Sequence, residues 1–153
     1  MAAGADPQDE AARPKRAGAR WLIDGMNLIG SRPDRWWNDP DRAVRRLVRE
    51  LDRYAAATTG EDVTVVFDRG PPDVQPGRHG AAVVGFASRH GRNAADDEIV
   101  RMLAADPAPQ SVTVVTSDLR LAERVRQLGA MVTSSGGFRR RLDAAAGMPT
   151  DGT

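Results

Sequence analysis

The sequence predicts one α/β domain: a mainly parallel sheet of about five strands with helices on both faces, in three layers. Three observations carry this. Short β-branched or apolar runs recur, at Trp21–Ile23, Val63–Phe67, Val83–Phe86, Val112–Thr116 and Met131–Thr133. Such runs fit strands buried on both faces. Between most of them lie stretches with apolar residues at helical spacing. Strand and helix in alternation imply right-handed crossovers and a parallel sheet.

The elements follow in order. The first strand stops at Asp24, and Gly25 permits a sharp turn or a close backbone approach. A loop over 30–40 carries Trp36 and Trp37. Over 42–57, Val44, Leu47, Val48, Leu51 and Tyr54 define the apolar stripe of a helix whose outer side is arginine-rich. The second strand ends at Asp68, and 71–80 read as a Pro/Gly loop. After the third strand, Asn93 is placed to cap a helix over 94–105 with Asp96 and Asp97 in its first turn. Ser117-Asp118 follows the fourth strand and opens a helix over 119–128, which Gly129 ends. Gly136-Gly137 leads to a short helix or helical turn at Phe138–Leu142. Residues 1–19 read as a disordered leader, 20–142 as the folded domain and 143–153 as a flexible tail.

Composition sets limits. At 153 residues, 41% hydrophobic and 28% charged, the chain suits one globular domain. It has no cysteine, which excludes disulfides and thiolate metal sites. Apolar runs are too short for a membrane span, and the leader lacks the apolar segment of a signal peptide, so a cytoplasmic protein is expected. Of the 22 basic residues only Lys15 is lysine, leaving 21 arginines, although the net charge is only +1. Arginine suits phosphate contacts and base stacking.

The acids are the informative feature. Parallel strands bring their carboxyl ends to one edge, where α/β sheets keep their sites. Asp24, Asp68 and Asp118 follow strands, and Asp96 and Asp97 open a helix that begins on the same edge. Gathered there they would repel one another. A hard divalent cation, Mg²⁺ or Mn²⁺, would relieve the conflict and support phosphodiester hydrolysis. Each acid also has a structural reading: Asp118 or Ser117 as a helix cap, Asp96 and Asp97 at a helix dipole, Asp68 at a turn. Their recurrence on one edge favours the site. There is no P-loop and no dinucleotide fingerprint, and His79 and His90 lack ligand spacing.

Four motifs, Ile23-Asp-Gly-Met-Asn27, Val65-Val-Phe-Asp68, Asn93-Ala-Ala-Asp-Asp-Glu-Ile99 and Val114-Val-Thr-Ser-Asp118, occur in an order and spacing that resembles the NYN domains. The resemblance is greatest to their YacP-like branch, within the PIN-like nuclease superfamily. It implies a Rossmann-like sheet of order 3-2-1-4-5 and a metal-dependent ribonuclease cutting single-stranded or loop RNA. By position, Asp24, Asp96 and Asp118 match the metal-binding acids and Asn27 the amide of the first motif. Thr116 or Ser117 matches the small hydroxyl beside the last acid, and Asp97 is a further candidate ligand. Many relatives carry another acid on the helix after the first loop. Here that helix has Glu50 alone, which can instead pair with Arg46.

Arg32, Arg89, Arg92, Arg139, Arg140 and Arg141, with Trp36 or Trp37 as stacking surfaces, are the candidate RNA contacts. The RNA class, whether messenger, transfer or ribosomal, is open, as is any association with the ribosome. An RNA-binding module that no longer cleaves is the rival reading. A phosphatase with an aspartyl nucleophile is a weaker rival, because Met26 and Gly70 stand where its second acid belongs.

Overall fold

The structure, a computed structural model, describes residues 19–88, 91 and 93–147. Its strands are β1 (Arg20–Asp24), β2 (Asp62–Phe67), β3 (Gly77–His79), β4 (Ala82–Phe86), β5 (Val112–Val115) and β6 (Met131–Thr133). Its α-helices are α1 (Gly25–Ile29), α2 (Pro40–Ala57), α3 (Ala94–Ala105), α4 (Leu119–Gln127) and α5 (Ser135–Ala145). The strands form one sheet of order β3-β4-β2-β1-β5-β6, parallel except for β3.

The alternation of side chains along each strand divides the core into two layers. Trp21 and Ile23 of β1 join Val63, Val65 and Phe67 of β2 on one face, under Leu28, Leu47, Leu51, Phe138 and Leu142 from α1, α2 and α5. Leu22, Val66 and Val114 point the other way, under Ile99 and Leu103 of α3 and Leu121 and Val125 of α4. Central β1, hydrogen-bonded to β2 and β5, is thereby covered on both faces, and Asp24 ends it at the sheet's carboxyl edge.

The structure amends the sequence reading in five places. The sheet has six strands, because β3 emerges from the expected Pro/Gly loop and pairs antiparallel with β4. The Asp52 carboxylate on α2 pins that hairpin by accepting the Ala81 N–H at 2.8 Å. Helix α1 starts directly after Asp24, so Gly25 serves close approach: a Cβ there would lie 2.5 Å from the Phe67 ring. Helix α2 begins two residues early, at Pro40, where the Asp39 side chain accepts the Arg42 N–H. Asn93 does not cap α3; it sits at φ 64 with no side-chain bond to the helix. Helix α5 runs on to Ala145, past the boundary expected at 142, with Ser134 as its cap. Residues 1–18 of the expected leader and 148–153 of the expected tail lie outside the described residues. Among the described residues no helix is long and apolar enough to cross a membrane.

Candidate active site at the carboxyl edge of the sheet

Asp24 is the buried centre of this edge, with 6% of its surface exposed. Its Oδ2 accepts the Thr116 hydroxyl at 3.0 Å, a bond from the end of β1 to the end of β5. Burial pushes its carboxyl up to about 6, with the Asp96 and Asp68 charges adding to the shift. The Thr116 hydroxyl and the Asn27 backbone amide pull it back. Asp96, in the first turn of α3, is also pushed up to about 6. Burial is again the main cause, followed by the charges of Asp118 and Asp68; Arg124 opposes them. Asp24, Asp68, Asp96 and Asp118 therefore share one electrostatic environment, drawn from three strand ends and one helix start.

Two of these carboxylates also hold structure. Asp68 Oδ1 accepts the Ala95 N–H at 2.9 Å and so caps α3 from the end of β2. This replaces the local cap expected of Asn93 and fixes Asp96 relative to the sheet. Asp118 Oδ1 accepts the N–H groups of Arg120 and Leu121, capping α4. Asp97 turns outward to Arg124, 3.0 Å away, at a half-exposed position. Among the described residues no three acidic or histidine side chains converge into a ready-made metal cage. The donor chemistry nonetheless fits a hard divalent cation, because carboxylates whose charged form is disfavoured by burial and by neighbouring acids gain most from a cation beside them.

Asn27 acts through its carbonyl oxygen. Oδ1 accepts the Ser117 N–H at 2.8 Å and the Ser135 hydroxyl at 2.6 Å, while Ser117 Oγ accepts the Ser135 N–H at 3.0 Å. Asn27 and Ser117 thus hold α1, the β5–α4 turn and α5 together beside Asp24. Thr116, whose hydroxyl also accepts the Asp118 N–H at 3.1 Å, links the first and last acids. Ser135 escaped sequence reading; its only signal was a Ser-Ser pair before the helix-opening Gly136-Gly137.

The expected RNA contacts separate. Arg139 is buried, with Nη1 3.0 Å from Glu50, and is unavailable to a nucleic acid. Arg32 pairs with both Glu50 and Asp143, and Arg46 also reaches Glu50 at 3.7 Å. Glu50 therefore belongs to an internal ion network and not to the acidic edge. The Arg141 guanidinium lies over the Trp21 ring, 5.1 Å from its centroid. Arg140 is exposed. Arg89 and Arg92 lie outside the described residues. Trp36 and Trp37 meet edge to face at 6.2 Å; Trp36 is half-buried and Trp37 is 59% exposed. A concavity of about 340 Å³ at the opposite edge, near Arg20 and Asp106, contains none of the clustered acids.

The fold has counterparts among solved structures. The crystal structure of Rae1 (YacP) from Bacillus subtilis matches with 27% identity and a TM-score of 0.66, covering 82% of this chain and 74% of that one. A tryptophan-to-leucine mutant of the same protein matches with 24% identity and a TM-score of 0.65, covering 84% and 77%. A search of curated proteins finds no match. The family model of the YacP-like NYN domain matches residues 21–149. The chain belongs to the YacP-like NYN family, a branch of the PIN-like nucleases.

Proposed function

We propose that this protein is a divalent-metal-dependent endoribonuclease that cuts single-stranded or loop RNA at the carboxyl edge of its sheet. The observation that carries the reading is the pair Asp24 and Asp96. They come from different elements, and burial and neighbouring carboxylates push both up to about 6. Proteins retain such uncompensated charge chiefly at functional sites. The chain belongs to a nuclease family, and by resemblance Asp24, Asp96 and Asp118 stand at that family's metal-binding positions.

Asp24, Asp96 and Asp118 would hold the cation, Mg²⁺ or Mn²⁺. When bound, it would acidify a coordinated water and neutralise the oxygens of a phosphodiester. Thr116 fixes the Asp24 carboxylate in orientation, and Asn27 with Ser117 and Ser135 keeps the β5–α4 turn, and so Asp118, in place. Asp68 sets the start of α3 and hence the position of Asp96. Asp97 is neutralised by Arg124 and stands at the rim. Arg140 supplies positive charge near the edge for the RNA backbone, with Arg89 and Arg92 preceding α3 in the sequence. The RNA class, an association with the ribosome and a cytoplasmic location belong to the same reading.

The test is incubation of purified protein with unstructured RNA and Mg²⁺ or Mn²⁺. Internal cleavage by the wild type, lost in Asp24→Asn with RNA binding retained, supports the reading. Binding without cleavage under every metal condition would replace it with an RNA-binding module of the same fold. The engagement of Asp118 Oδ1 in a helix cap favours that second reading.

A further inference from the structure

A second concavity, of about 530 Å³, opens beside the acidic edge on the α1–α2 side. Asp68 lines it and also acts electrostatically on Asp24 and Asp96, so the cavity and the acids are neighbours. Its apolar walls are Met26, Val44 and Trp36, and Asp41 and Arg69 stand with Asp68 among its polar groups. The Trp36 turn is held by Arg35 at φ 59, a left-handed conformation that non-glycine residues rarely adopt. Such strain persists where the surroundings over-determine it, and it concentrates at functional sites. Arg69 is exposed and makes no ion pair with another described residue.

We propose that this cavity is a nucleobase subsite: it receives one unpaired base of the RNA strand against Trp36, while Arg69 holds an adjacent phosphate. The inference rests on the ribonuclease reading for its choice of ligand. The chemistry selects a base over a phosphate. Asp41 and Asp68 repel an anion but accept N–H groups of a neutral base, and the apolar walls favour a flat ring. A base in the cavity leaves its strand beside the acids, where the scissile phosphate has to lie. Arg69 supplies the one positive charge among the described residues that line it.

The experiment measures binding of a short fluorescein-labelled oligoadenylate in EDTA, where cleavage cannot intervene. Loss of one base–aromatic stack weakens binding by roughly tenfold, so Trp36→Leu is expected to bind about that much more weakly. Trp36→Phe, which keeps a ring, recovers most of the loss, and Arg69→Ala weakens binding and flattens its salt dependence. Wild-type affinity in both Trp36→Leu and Arg69→Ala overturns the subsite. Circular dichroism checks folding, and if Trp36→Leu is misfolded, the exposed Arg69→Ala decides. The two readings separate in a parallel Mn²⁺ assay. Variants that bind and cleave like the wild type sink the subsite and leave the ribonuclease standing. Variants that bind weakly when the wild type itself never cleaves support the subsite and sink the ribonuclease.

Discussion

Two charge clusters in this domain obey opposite rules. At the carboxyl edge, Asp24, Asp68, Asp96 and Asp118 are of one sign, and two of them are pushed up to about 6. Around Glu50, the charges alternate: Arg139, Arg32 and Arg46 converge on Glu50, and Arg32 also reaches Asp143. The second cluster balances its charges among the described residues, leaving Arg139 Nε alone without a hydrogen-bond partner, and fastens α2 to α5 and to the segment after α1. The first is complete only with something added. Burial alone does not mark a functional charge; burial without an opposite partner does.

The comparison can be broken from either side. The largest effect is expected in Glu50→Ala, which strands the buried Arg139 and so costs about 3–5 kcal/mol. Urea unfolding checks this, and the folded fraction should cleave RNA at the wild-type rate per molecule. A loss of cleavage without a loss of stability would move Glu50 into the site. Next comes Asp24→Asn. Removing an outer-shell partner typically costs roughly 10–100-fold in affinity or activity, so loss of a direct ligand should exceed 100-fold in single-turnover cleavage.

The same substitution should stabilise the metal-free protein at neutral pH, because it removes a buried charge. The sign follows from linkage. A folded-state pKa raised from 3.8 to about 6 means that the folded protein holds the proton more tightly. Stability from Asp24 is then full below its unfolded pKa and falls as pH rises through about 6. In EDTA, the melting temperature of the wild type relative to Asp24→Asn should drop between pH 4 and pH 7, by the order of 1–3 kcal/mol in stability. Mn²⁺ should reverse the drop at pH 7. A wild-type–mutant difference that does not vary with pH would contradict the shift. The smallest effect belongs to Asp97→Asn, which breaks a half-exposed pair with Arg124. Such pairs contribute about 0–1 kcal/mol, and cleavage should change by no more than a few-fold.

Sequence reading succeeded where periodicity was strong and local. Helix α3 was expected over 94–105 and spans Ala94–Ala105, because Ile99 and Leu103 mark its buried face and Pro107 follows its end. The order of the five foreseen strands also matches, through the family resemblance, with β3 added at the edge. Strand β3 stayed hidden because Gly77-Arg-His79 is polar and gains its structure only from β4. The capping role of Asp118 is legible from its place between a strand and a helix, whereas that of Asp68 is not. That Asp68 caps α3, a helix 27 residues away, depends on tertiary geometry. In sequence, Arg139, Arg140 and Arg141 read alike as candidate RNA contacts. A helix turns about 100° per residue, so the three face a buried Glu50, solvent and the Trp21 ring in turn.

The double hydrogen bond to Asn27 Oδ1 ties when the site forms to where its parts lie in the chain. One oxygen atom collects a donor 90 residues away and another 108 residues away. A ribosome delivers the chain from its amino end, so Asp24, Asp96 and Asp118 have all emerged before Ser135 arrives to close the edge. Helix α5 is thus the latch of the β5–α4 turn, and a nascent chain still lacking it carries all three acids without the Ser135 contacts that keep Asp118 in place. Docking α5 and fixing that turn are one event.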